Sequence, residues 1–220
     1  KLYTTITYAI HRHCTAITTH GEHFAHKFPL EPQFHRTGHN SSVFYTFYIV
    51  KADAYGHGSV QVSRLLQESG ADYLAVSSID EAVELRHNGI TMPVLILGHT
   101  PKEEVSELIK NNITQAVTCR AKALEYSEEA VRYGGTLKIH IKVDTGMSRL
   151  GYLCDGEYFD SGVEGICEGC TLPGLDAEGI FTHFAVSDEF GEECEAYTKH
   201  QFELFTSVID AVEKKLGKKF

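Results

Sequence analysis

Long hydrophobic runs are missing from this sequence: no apolar stretch in its 220 residues approaches the roughly 20 needed to cross a bilayer. The N-terminus also lacks a basic region followed by a hydrophobic segment and a small-residue cleavage site, so no export signal is read and the cytoplasm is the default compartment. Basic side chains are in the minority, 20 against 30 acidic ones, for a formal charge of -10. That balance excludes a nucleic acid or an anionic membrane as the main partner. Cysteines are few, at 6, which is too sparse for a disulfide framework in a chain of this size. Only Cys167 and Cys170 have C-x-x-C spacing, with no second pair nearby, and no metal site is expected. No G-x-G-x-x-G fingerprint follows the first apolar run, and no low-complexity tract or long linker interrupts the chain.

What is present begins with a segment of weak pattern. Residues 1–42 hold seven of the 13 histidines, few charges and no sustained helical or strand period. Residues 5–10 alternate like a short strand. His20, His23 and His26 are three apart and drift around a helix, unlike the i, i+4 pair that helical zinc sites favour. This segment is read as divergent and peripheral, with the main domain running over 43–220.

From residue 43 short apolar runs alternate with amphipathic stretches. Strands are predicted over 43–50, 73–77, 94–97, 114–118, 137–143 and 179–185, and helices over 59–69, 79–88, 101–111, 120–133, 157–167 and 195–216. Gly89 follows the second helix, Thr100-Pro101 opens the third, and Gly134-Gly135 closes the fourth. Six successive β/α units build a parallel sheet. Their length and the missing dinucleotide fingerprint favour an α/β architecture of the (β/α)8 TIM-barrel type, two strands short of closure at residue 220.

The active site of such a barrel forms at the carboxyl ends of the strands, so polar residues that follow apolar runs carry most weight. Lys51 ends the first run and precedes Gly56 and Gly58. Partial burial there favours a neutral, nucleophilic amine, and the downstream N–H groups suit a phosphate, a combination that suggests pyridoxal phosphate. A structural lysine snorkelling out of a strand end accounts for the same pattern. After the fifth strand, Lys142 and Asp144 share one face, and a glycine-punctuated loop returns Arg149 toward the mouth. Arg149 is either a clamp for a carboxylate or phenolate, or the partner of Asp144 in a structural ion pair. His183, near the end of the sixth strand, is either a hydrogen-bonded core residue or part of the same mouth.

Taken together, Lys51-Ala-Asp-Ala-Tyr-Gly-His-Gly58, Asp144-Thr-Gly-Met-Ser-Arg-Leu-Gly151 and Glu178-Gly-Ile-Phe-Thr-His-Phe-Ala185 closely resemble the alanine racemases, pyridoxal-phosphate enzymes. The resemblance runs from about residue 50 to the end. It implies that Lys51 is the Schiff-base lysine and one acid/base, that Tyr55 binds the phosphate, and that Arg149 contacts the cofactor's phenolic oxygen and the substrate carboxylate. It further implies that Lys142 occupies a position often carbamylated in the family, that Asp144 supports the site from behind, and that His183 orients the pyridine ring. The family's second base is a tyrosine of a C-terminal β-domain acting across a homodimer interface, and no residue of the 220 can be assigned to it. The expected activity is interconversion of L- and D-alanine for cell-wall precursors, inactive or weak in this chain alone. The alternatives are a racemase of serine or another small amino acid, and a non-catalytic cofactor-binding barrel.

Overall fold

Strands with helices on one face and a barrel interior on the other are buried on both faces, which is why most of the predicted strands carry little polar alternation. The computed structural model describes residues 3–7 and 47–217. Its strands are Tyr3–Thr7 (β1), Phe47–Ile49 (β2), Tyr73–Val76 (β3), Val94–Ile96 (β4), Thr114–Val117 (β5), Leu137–Asp144 (β6), Tyr152–Leu153 (β7) and Leu175–His183 (β8). Positions in β3, β4 and β5 are buried without exception. Six helices follow the strands: Ser59–Glu68 (α1), Ile79–His87 (α2), Val105–Lys110 (α3), Arg120–Tyr133 (α4), Phe159–Thr171 (α5) and Glu192–Leu216 (α6).

The sheet runs in the order β1-β8-β6-β5-β4-β3-β2, every pair parallel, with β7 attached to β6. From β2 through β6 to β8 each successive main strand lies beside the previous one, with a helix between them. This is the single winding direction of a TIM-type barrel, and an open doubly wound sheet would reverse it. The six predicted β/α units are all present.

Boundaries differ in a few places. Strand β8 begins at residue 175, four residues before the predicted start, because Asp176 and Glu178 break up its apolar run. The third helix opens with a 3-10 turn, Lys102–Glu104, and α6 starts at residue 192. The stretch read as peripheral contributes β1, which pairs with the edge that β8 leaves open. The remaining residues of 1–42, with their histidines and Cys14, lie outside the described residues, as do residues 43–46.

Apolar side chains divide into two layers. Leu74, Val76, Ile139, Ile141 and Ile180 face the helices, packing against Leu85, Leu108, Ile166 and Val208. Phe47, Tyr73, Ala75, Leu95, Ala116 and Phe181 fill the concave interior. On β6 the interior column is therefore Lys138, His140, Lys142 and Asp144, an unusually polar stack for a barrel strand. Cys167 and Cys170 both lie on α5, where Cys170 is buried in the helix layer. No helix among the described residues is long and apolar enough to cross a membrane.

Candidate functional site

Lys51 follows β2 directly and opens a turn, Lys51–Gly56, in which Ala52, Asp53, Ala54 and Tyr55 all adopt left-handed angles, with φ between 50° and 56°. Such angles cost a non-glycine residue about 1 to 2 kcal/mol each, so the surroundings must impose them. Hydrogen bonds and burial do so. One Glu81 carboxylate oxygen accepts from the Ala52 N–H at 2.7 Å. The other accepts from the Ser77 N–H at 2.7 Å and the Ser77 hydroxyl at 2.8 Å. Asp53 accepts from the Ser59 N–H at 2.7 Å, and the Ala54 methyl is buried. Burial raises the Glu81 pKa, but the hydrogen bonds from Ser77, Ala52 and Ser78 outweigh it and hold the carboxyl below its ordinary value. The turn leaves Lys51 half-buried and Tyr55 exposed. Of the N–H groups downstream of Lys51, the first of α1, that of Ser59, is taken by Asp53.

On β6, Lys142 and Asp144 are each 6% exposed. Asp144 turns the following loop on itself: Oδ1 accepts from the N–H groups of Gly146 and Ser148 at 3.0 Å each, and Oδ2 accepts from the Arg149 N–H at 2.9 Å. At Gly151 (φ +135°) the returning chain runs so close that a Cβ would lie 2.6 Å from the Asp144 backbone nitrogen. Asp144 thus grips Arg149 through its backbone. The Asp144–Arg149 ion pair considered above is not formed, and the exposed Arg149 guanidinium has no ion-pair or hydrogen-bond partner among the described residues.

His183 reaches the mouth through a bulge. Ile139 pairs with Ala177 but His140 pairs with Gly179, so Glu178 is an extra residue on β8. One extra residue reverses which face each later side chain takes. Ala177 therefore packs with the helices, whereas Phe181 and then His183 face the interior beside Lys142. Gly179 is required at the switch, because a Cβ there would lie 2.6 to 2.7 Å from the His140 ring.

Electrostatics tie the pieces together. The His183 pKa is lowered by burial first, then by the positive charges of Arg149, Lys142 and Lys51, with Asp188 opposing. The carboxyl ends of β2, β6 and β8 lie at one end of the parallel sheet, and because coulombic influence falls with distance, the action of three cations on this imidazole agrees with that placement. Burial and Arg149 likewise lower the Lys142 pKa, against the pull of Asp144. In a chain of formal charge -10, the mouth is locally cationic. It combines a reachable amine, a neutral imidazole, a guanidinium and a phenol, a set suited to an anionic group that carries a carbonyl. Among the described residues no cluster of three or more His, Cys, Asp or Glu side chains could hold a metal ion.

A cavity of about 110 Å³ lies at the opposite end of the strands, lined by Tyr73, Thr114, Lys138 and Glu178 among others. There one Glu178 oxygen accepts from the hydroxyls of Tyr73 and Thr114, both at 2.9 Å, which seals the barrel floor. Beside it, the fully buried His140 packs against Phe47 and Tyr73, with neither ring nitrogen hydrogen-bonded. The chemistry-bearing residues are all at the other end.

Two residues that shape the mouth escaped the sequence reading. Glu81 carries a visible signal, because Ser78-Ile-Asp-Glu81 has capping-box spacing and the Ser78 hydroxyl accepts from the Glu81 N–H at 3.4 Å. Gln201 lies in mid-helix, where no local pattern marks it.

Residues 38–219 match the family model described as the alanine racemase N-terminal domain. The chain is 44% identical to alanine racemase 2 of Caldanaerobacter subterraneus over 167 residues, 76% of this chain and 41% of that protein. It is 45% identical to the alanine racemase of Methanococcus maripaludis over 166 residues, 76% of this chain and 43% of that protein. It also superimposes on the alanine racemase of Clostridium difficile 630 in complex with cycloserine at a TM-score of 0.69 and 39% identity, covering 77% of this chain and 45% of that one. The chain spans about two-fifths of the length of the curated relatives it matches.

Proposed function

As the chain belongs to the alanine racemase N-terminal domain family, we propose that it forms the pyridoxal-phosphate-binding barrel, from residue 43 onward, of an enzyme that interconverts L- and D-alanine. What supports this reading is the order of the strands: Lys51 follows β2, Lys142 and Arg149 lie at and after the end of β6, and His183 ends β8, all at the carboxyl end of one parallel sheet. A cationic mouth with a primary amine at a strand end suits a cofactor that carries a phosphate, a phenolate and an aldehyde.

In this reading the Lys51 amine attaches the cofactor and then carries the proton on one face of the substrate α-carbon. When bound, the cofactor supplies electron withdrawal that acidifies the α-hydrogen. Tyr55 donates its hydroxyl to the phosphate. Arg149, held by its backbone to Asp144, has a guanidinium without a partner among the described residues and offers it to the phenolic oxygen and to the substrate carboxylate. His183, kept from protonation chiefly by burial and then by the charges of Arg149 and Lys51, orients the ring and leaves the proton on Lys51. Lys142, whose buried amine is pushed toward the neutral form, is suited to capture carbon dioxide as a carbamate whose negative charge would steady Arg149. For the opposite face we propose a tyrosine from a second copy, which makes the active form a cytoplasmic homodimer that supplies D-alanine for cell-wall precursors.

The test is to incubate the full-length, cofactor-loaded protein with L-alanine in deuterium oxide and follow both chirality and α-proton content. Racemisation with α-deuterium incorporation, abolished in Lys51→Ala, is expected. A loaded protein that exchanges no α-proton would refute the reading. Comparing kcat/KM for alanine and serine in the same assay fixes the substrate.

A further inference from the structure

Helix α6 lies outside the barrel, yet two of its side chains reach the loops of the mouth. Gln201 is 0% exposed. Its Oε1 accepts from the Ala185 N–H at 2.9 Å, and its Nε2 donates to the Thr145 hydroxyl at 3.3 Å and the His183 carbonyl at 3.4 Å. One helical turn earlier, the Tyr197 hydroxyl donates to the Gly146 carbonyl at 2.8 Å. Thr145 also contacts the Thr182 hydroxyl at 2.8 Å, and Thr182 donates to the Val143 carbonyl at 3.0 Å.

We propose that Gln201, supported by Tyr197, is a positioning residue that ties the Arg149 loop to the strand end bearing His183 and so sets the spacing between those two groups. A glutamine that merely anchored α6 would need a single partner. Gln201 instead bonds two segments 38 or more residues apart, one opening the loop to Arg149 and the other including His183 itself. Its amide matches them without remainder, the acceptor taking the one N–H and the donor meeting a hydroxyl and a carbonyl. A hydrocarbon of the same shape would leave those buried groups unmatched and free the loops to move independently. What Arg149 and His183 do with that spacing rests on the function proposed above; the tie itself does not.

The test compares Gln201→Met, which keeps the shape without the hydrogen bonds, and Gln201→Glu, which keeps the acceptor for Ala185, in the full-length protein. Hydrogen-exchange mass spectrometry over 144–151 and 183–187 is paired with pyridoxal phosphate affinity and with kcat and KM for alanine. Gln201→Met is expected to speed exchange in both segments together by about tenfold, to leave the remaining strands protected, and to lower kcat more than it raises KM. Gln201→Glu is expected to fall between Met and wild type. Loosening of one segment alone, of neither, or of the whole chain in proportion to lost thermal stability would overturn the proposal. Absence of racemase activity in the wild-type protein would overturn the functional reading, while the exchange data would still decide whether the tie exists.

Discussion

The Glu81 carboxylate accepts a 2.7 Å hydrogen bond from the backbone N–H of Ala52, the residue immediately after Lys51. The lysine strand is thereby fastened to the next β/α unit, and the left-handed turn that aims Lys51 is held from outside itself. Four consecutive non-glycine residues at positive φ have no intrinsic reason to stay there.

Replacing Glu81 by Ala removes that restraint. Water replaces part of the lost bonding at the exposed Ala52 amide, so the expected cost is about 1 to 2 kcal/mol in denaturant unfolding, with faster exchange at the amides of 51–56. The folded-state pKa of Glu81 lies below its unfolded value, so its contribution is complete above that unfolded value and is lost as pH falls through the folded one. Unfolding curves between pH 7 and 3 are expected to converge for Glu81→Ala and wild type.

Gly179→Ala places a methyl against the His140 ring on the barrel floor. Overpacking of this kind is expected to cost about 1 to 3 kcal/mol. Because the clash lies between these two residues, Gly179→Ala combined with His140→Ala should cost less than the sum of the singles, and a double-mutant cycle measures the difference.

The β/α alternation was readable because strands buried on both faces are mostly apolar, and Lys51, Arg149 and His183 stood out because each lies at or just after the carboxyl end of such a strand. The bulge at Glu178 was not readable, although it delivers His183 to the interior: an extra residue leaves no trace in hydrophobic pattern once polar residues interrupt the strand. The turn after Lys51 was hidden for a related reason. Positive φ is signalled by glycine, and residues 52–55 are Ala, Asp, Ala and Tyr, with the conformation held by Glu81 from the next unit and by the bond of Asp53 to the Ser59 N–H. Gln201 owes its importance entirely to tertiary contacts.

His140 gives the fold an acid-labile point. Burial pushes its pKa down to about 3, and Glu178 at 3.8 Å does not reverse this because its nearer oxygen is already bonded to Tyr73 and Thr114. The unfolded chain protonates this histidine near its ordinary value while the folded chain resists. Its contribution is therefore complete above about pH 6.5 and declines as pH falls toward 3, by up to roughly 5 kcal/mol. In His140→Met the difference in unfolding free energy between pH 7 and pH 4.5 is expected to be smaller than in wild type, and an equal difference would contradict the assignment.

Asp144→Ala releases the N–H groups of Gly146, Ser148 and Arg149 together. About 1.5 to 3 kcal/mol of loop ordering is expected to disappear, seen as rapid exchange over 145–151, with a fall in alanine kcat/KM in the cofactor-loaded full-length protein.

If Lys51 carries the cofactor, reduction with borohydride in the presence of pyridoxal phosphate traps the bond, and peptide mass spectrometry locates it. One phosphopyridoxyl adduct is expected, on Lys51, and it is lost in Lys51→Ala without moving to Lys142. An unmodified Lys51, or an adduct on another lysine in the wild-type protein, would contradict this role for Lys51.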